Sequence, residues 1–217
     1  MFFNKTWRYI ATGKTLMRSL MNIELSNYTL ENGIVVDLGG GKNPSYMAFL
    51  KNPSNTIPCN IDKQHATGDA KSIDFEKDPL PYADESVDQI LMFNILEHVY
   101  HHAFLVSEAY RILGRGKTVI GFVPFLINYH PDPHDYFRYT DESLQEIFNQ
   151  AGFSKVFIRP LGLGPFSVNF NIIASFMPRF FNAIVWPFYY ILDRAFLSIK
   201  PDLARRFPLG YIFILTK

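Results

Sequence analysis

The chain has 217 residues, 48% of them hydrophobic and 19% charged, so it is long enough for one packed core and too short for two catalytic domains. Its 21 Lys and Arg against 20 Asp and Glu exclude a disordered polyelectrolyte and a strongly basic nucleic-acid binder. Cys59 is the single cysteine, which excludes an internal disulfide and a cysteine-rich zinc site and agrees with a reducing cytosol.

The first 22 residues carry Lys5, Arg8, Lys14 and Arg18 and no acid, interleaved with Phe2, Phe3, Trp7, Tyr9 and Ile10. No long apolar stretch follows them, so they do not read as a secretory signal. Phe3, Trp7, Ile10, Met17 and Met21 fall near one helical face, interrupted by Lys14, and residues 1–33 form a basic amphipathic segment. Ile34-Val35-Val36 is then a short β-branched run that ends in Asp37-Leu38 and Gly39-Gly40-Gly41, a strand entering a glycine turn. Asn43-Pro44 is a helix start, predicting a helix over about 44–51. Further strands are expected over Thr56–Ile61, Val87–Phe93, Thr118–Val123, Phe153–Ile158 and Tyr211–Thr216, with helices over Ala103–Leu113 and Asp141–Ala151. Strand–helix alternation of this kind predicts a parallel α/β sheet with right-handed crossovers.

A glycine turn between strand and helix lets a nucleotide-like cofactor approach the backbone at the C-terminal edge of the sheet. A dinucleotide loop requires G-x-G-x-x-G, and Gly39-Gly40-Gly41-Lys42-Asn43-Pro44 has proline where the last glycine belongs. Asp37 places a carboxylate directly before the loop, unfavourable for a pyrophosphate and favourable for a ligand with ammonium and sulfonium charges, as in S-adenosylmethionine. Asp62, 21 residues after Gly41, is placed to accept ribose hydroxyls, and Gly68-Asp69-Ala70 offers a carboxylate for an adenine amine beside a small residue.

With Val35–Gly41, Asn60-Ile61-Asp62, Gly68-Asp69-Ala70, Leu80–Asp88 and Asn94–Val99 in this order, the sequence resembles the class I S-adenosylmethionine-dependent methyltransferases over about residues 34–125. The resemblance implies a Rossmann-like open sheet of about seven mostly parallel strands with helices on both faces. It places Asp37, Gly39, Gly40 and Gly41 near the methionine portion of the cofactor, Asp62 on the ribose, Asp69 and Ala70 on the adenine, and Asn94 at the end of the fourth strand facing the cofactor. Asn43 stands where the family's loop often has a further glycine, a position Asn tolerates.

Five of the six histidines lie at His98, His101, His102, His130 and His134. The i,i+4 pair His98 and His102, with His130 or His134, admits a metal reading. The simpler reading, which assigns no metal, is that segments 94–102 and 124–139 follow strands, emerge at the same sheet edge as the glycine loop and line the acceptor pocket. Methyl transfer to a hydroxyl requires alignment and removal of a proton, and His98 and His134 are the candidate bases.

Residues 159–217 hold seven basic and two acidic side chains, a net of +5, against −4 for the rest. Here an aromatic helical insertion, 162–208, precedes the last strand, so that residues 34–161 and 209–217 make up the cofactor-binding domain. Its uncharged runs are interrupted by Pro and Gly or are too short to span a bilayer. With Trp186, Tyr189 and Tyr190 flanked by Arg179, Arg194, Lys200, Arg205 and Arg206, it reads as a lid, a membrane-interface anchor or a dimer surface. The function expected is O-methylation of a glycan, lipid-linked or other small-molecule acceptor, in the cytoplasm or on the inner face of the membrane. The alternative is a non-catalytic binding or scaffold protein of the same fold.

Overall fold

A computed structural model describes residues 2–41, 44–52, 56–59 and 73–217. The chain opens with two helices, α1 (Phe2–Ala11) and α2 (Leu16–Leu25), where one amphipathic stripe was expected. Thr15 separates them by accepting a hydrogen bond from Arg18 N, an N-cap that starts α2 afresh. There follow β1 (Val35–Leu38), β2 (Thr56–Cys59), β3 (Val87–Phe93), α3 (His102–Ile112), β4 (Leu113–Pro124), α4 (Asp141–Gln150) and β5 (Lys155–Leu161). Then come three helices, α5 (Pro165–Ile173), α6 (Arg179–Ile199) and α7 (Leu203–Arg206), before the last strand β6 (Gly210–Thr216).

Among the described residues the sheet has six strands, against the seven that the resemblance implies, in the order β2-β1-β3-β4-β6-β5. Strands β2, β1, β3 and β4 pair in parallel, and β6 runs antiparallel to both β4 and β5. The short apolar runs form strands because both faces of the sheet are covered. On one face α3 and α4 bury Leu105, Ala109, Ile112, Leu144 and Phe148 against Val36, Ile90, Val119 and Phe213. The other face carries Met21 and Leu25 of α2 against Leu91, Phe93, Ile120 and Ile212.

The helix expected over 44–51 is instead a single 3₁₀ turn, Met47–Phe49. Leu50 is extended, and Lys51 bridges to Thr29, with Lys51 N donating to Tyr28 O and Leu30 N to Lys51 O. Those long-range backbone bonds pull the chain out of the helical path that the Asn-Pro start favours.

The third core lies outside the sheet. Ile10, Leu16 and Leu20 of the first two helices close on Val168, Phe170 and Trp186, so the two ends of the chain build one helical cap. A proline inside α6 shapes the seam: Pro187 has no N–H for the Ala183 carbonyl, and Trp7 Nε1 donates to that carbonyl at 2.9 Å. Buried Asp193 of α6 accepts from Phe166 N (3.0 Å), Ser167 N (2.8 Å) and Ser167 Oγ, capping α5 from outside its own chain segment. No helix among the described residues is long and apolar enough to cross a membrane.

Candidate cofactor and acceptor site

Strand order reverses beside β1, with β2 on one side and β3 on the other, which opens a crevice at their carboxyl ends. Asp37 ends there, fully buried, and the Tyr46 hydroxyl donates across both its oxygens at 2.8 and 2.7 Å. Burial pushes the Asp37 carboxyl up to about 7, and the Tyr46 hydrogen bond opposes that rise. Burial and the neighbouring Asp37 charge raise the Tyr46 hydroxyl in turn.

The turn after β1 is possible because of its glycines. Gly39 and Gly41 have φ of +80° and +67°, and a Cβ on Gly40 would fall 1.9 Å from Asp37 Oδ2 and 2.7 Å from the Tyr46 hydroxyl oxygen. Across the crevice Asn94 follows β3 at φ +52°, its N donating to Phe122 O, while its Oδ1 is shut from solvent with no hydrogen-bond partner. A buried carboxylate, a turn whose backbone lies against it because residue 40 has no side chain, and an orphaned amide oxygen fit a cationic, polar ligand. Asp62, Asp69 and Ala70, expected at the ribose and adenine, lie outside the described residues.

Beyond Asn94 a 3₁₀ turn, Leu96–His98, carries Glu97, fully buried with neither carboxylate oxygen hydrogen-bonded. His98 Nε2 lies 3.6 Å and His130 Nε2 3.7 Å from Glu97 Oε1. His98 Nδ1 is held by the carbonyl of His134, which fixes a tautomer with the proton on Nδ1 and Nε2 open. The two loops are sewn together further by Tyr136 N to Glu97 O (2.8 Å) and by the Tyr139 hydroxyl to Leu96 O (2.9 Å). Arg138 pairs with Asp135 and holds that carboxyl down at about 2, and Asp135 also accepts from His130 N at 2.9 Å. Glu97 is the main cause of a raised pKa at His130.

The expected histidine cluster therefore divides. His98 and His134 meet through ring and carbonyl, whereas the His134 ring is exposed and packs beside Tyr136. His102 does not join His98: it sits on α3 against Phe137 and Tyr139. The group whose ligand-type atoms lie within 4.8 Å of one another is Glu97, His98 and His130. Tyr46 and Glu97 were not singled out from the sequence, and Arg18 was read only as part of the basic first segment. Burial lowers the Arg18 pKa, and the charges of Tyr46 and Glu97 oppose that shift.

Residues 36–121 match a family model described as a methyltransferase domain. Over 80 residues the chain is 31% identical to a protein of Mycolicibacterium smegmatis named as a probable S-adenosylmethionine-dependent methyltransferase, an alignment covering 34% of this chain and 31% of that one. The chain thus spans about a third of the length of that curated relative. Among solved structures it is similar to an S-adenosylmethionine-dependent methyltransferase of Archaeoglobus fulgidus, with TM-score 0.61 and 15% identity over 92% of this chain and 94% of the other. An S-adenosylmethionine-dependent methyltransferase of Thermotoga maritima gives 0.58 and 16%, covering 100% and 96%. A methyltransferase-domain model thus matches residues 36–121, and along nearly its whole length the chain has the fold of these S-adenosylmethionine-dependent methyltransferases.

Proposed function

We propose that the chain transfers a methyl group from S-adenosylmethionine to a hydroxyl oxygen of a glycan, lipid-linked or other small-molecule acceptor, on the cytosolic side where that cofactor is kept. The observation that carries the reading is the Asp37–Gly40–Tyr46 cluster: a buried carboxylate held by one hydroxyl, directly under a turn whose backbone comes this close only because residue 40 has no side chain. When bound, the cofactor supplies a methyl group on a positively charged sulfur. Asp37 offers the counter-charge for its ammonium, and Asn94 Oδ1 offers an acceptor. By the family resemblance, Asp62 takes the ribose and Asp69, beside Ala70, the adenine, with Gly39 and Gly41 shaping the turn.

His98 receives the hydroxyl proton at Nε2 as the oxygen–carbon bond forms and the carbon–sulfur bond breaks, with Glu97 at 3.6 Å as counter-charge for the imidazolium. His134 holds His98 in its tautomer through the main chain, and its ring stands at the rim of the site.

Calorimetry with S-adenosylhomocysteine tests the cofactor site: micromolar binding is expected, weakened by about 1–3 kcal/mol in Asp62→Ala. Transfer of labelled methyl to cell-envelope extracts tests catalysis. Binding without transfer to any extract supports the scaffold alternative, and an unchanged rate in both His98→Ala and His134→Ala removes the histidine base.

A further inference from the structure

Helix α6 has two opposed faces. Trp186 and Asp193 are buried toward α5, whereas Phe180, Ile184, Phe188, Ile191 and Ile199 are each more than half exposed, as is Phe176 just before the helix. Twenty-one residues at 1.5 Å each make this stripe about 31 Å long. Large apolar side chains exposed together along one helix face mark an interaction surface. The helix's one acidic residue, Asp193, is turned inward to cap α5, so no carboxylate borders the stripe from α6 itself.

The rim of this face is basic. Arg179, Arg194, Lys200, Arg205 and Arg206 are exposed, and so are Lys5 and Arg8 on α1, which is keyed to α6 through Trp7 and Ala183. Among the described residues none of these seven is in an ion pair.

We propose that α6 lies flat on an anionic membrane surface, its apolar stripe in the headgroup and acyl boundary and its basic rim on the lipid phosphates. An amphipathic helix too polar to cross a membrane, with aromatic residues below and cations beside them, has the composition of an interfacial anchor. A second copy of this chain is the poorer occupant, because a two-fold contact through the stripe sets one basic rim against another. The docked cap adjoins the acceptor side of the site: Asn128 Nδ2 donates to Ile172 O (3.3 Å) and Ser175 Oγ (3.2 Å), and Arg138 reaches Asn128 O. If the methyltransferase reading holds, the acceptor is of the lipid-anchored class; the docking itself does not depend on it.

The test uses the full chain and phosphatidylcholine vesicles with and without phosphatidylglycerol, read by co-sedimentation and without reference to activity. Binding is expected only to the anionic vesicles and weakens as salt is raised. Arg205→Ala with Arg206→Ala weakens it by about tenfold or more. Phe188→Glu with Ile191→Glu abolishes it with an unchanged circular dichroism spectrum, because both side chains are exposed. The proposal is overturned if the chain stays in the supernatant with both vesicle types, or if binding ignores lipid charge and salt. It is equally overturned if Phe188→Glu with Ile191→Glu splits a dimer in sedimentation while leaving lipid binding intact.

Discussion

The Tyr46 hydroxyl bridges both carboxylate oxygens of Asp37, at 2.8 and 2.7 Å, and it is the only side-chain donor that the buried carboxylate has among the described residues. Tyr46→Phe removes that donor and leaves an ionised group buried without a partner. We expect a loss of about 1–3 kcal/mol at pH 8 and a smaller loss at pH 5, where Asp37 holds a proton. Urea denaturation at the two pH values measures the difference.

The raised pKa of Asp37, about 7, couples cofactor affinity to pH. Below that value the carboxyl is neutral and no longer attracts an ammonium, so affinity for S-adenosylhomocysteine should fall by about tenfold between pH 8 and pH 6. The folded chain holds this proton to higher pH than the unfolded chain does. The Asp37 contribution to stability is therefore greatest below about pH 4 and is lost as pH rises through about 7. Calorimetry in buffers of different ionisation enthalpy should show a proton released on binding near pH 7.

Gly40→Ala puts a Cβ 1.9 Å from Asp37 Oδ2, against two groups fixed by their own hydrogen bond. Overpacking of this kind costs about 1–3 kcal/mol and displaces the carboxylate proposed to hold the ligand. Cofactor binding should be lost in calorimetry while the melting transition stays cooperative.

Asp193→Ala strips three donors of their acceptor at the N-terminus of α5. A loss of about 2–3 kcal/mol is expected, and Asp193→Asn should recover part of it. Denaturant midpoints of the two variants give the comparison.

His130 titrates above its ordinary range because Glu97 favours its charged form. The stability it contributes is fully present below the unfolded value and is lost as pH rises through the folded one. In Glu97→Gln that pH dependence should flatten, and an NMR titration of His130 should show its pKa falling.

The sheet was legible because its strands are short β-branched runs with turn signals between them, and Val87–Phe93 matches its expectation residue for residue. The helices expected over Ala103–Leu113 and Asp141–Ala151 appear shifted by one residue or shortened by one. The strand that carries Asp37 and the glycine turn after it were legible from chain order alone. Tyr46 was not, since nothing in its neighbourhood signals that a hydroxyl nine residues on returns to Asp37. Glu97 stands beside a singled-out histidine, yet only the fold shows its carboxylate buried between rings from two loops. The 44–51 helix failed for a related reason: Lys51 is claimed by Thr29, a partner that local propensity does not contain.

The bond from Trp7 to Ala183 joins residues 176 positions apart, and it fills a vacancy that Pro187 creates in a helix made late in synthesis. While the polypeptide leaves the ribosome, Ile10, Leu16 and Leu20 have no surface to close on until Phe170 and Trp186 have emerged. The cap-facing side of the first two helices thus waits for the last third of the chain, exposed to whatever chaperones or lipid surfaces lie near the exit. A shortened transcript ending before α6 would lack both the cap and β6, the strand that joins β4 to β5, so cap and sheet are completed only when translation is nearly done.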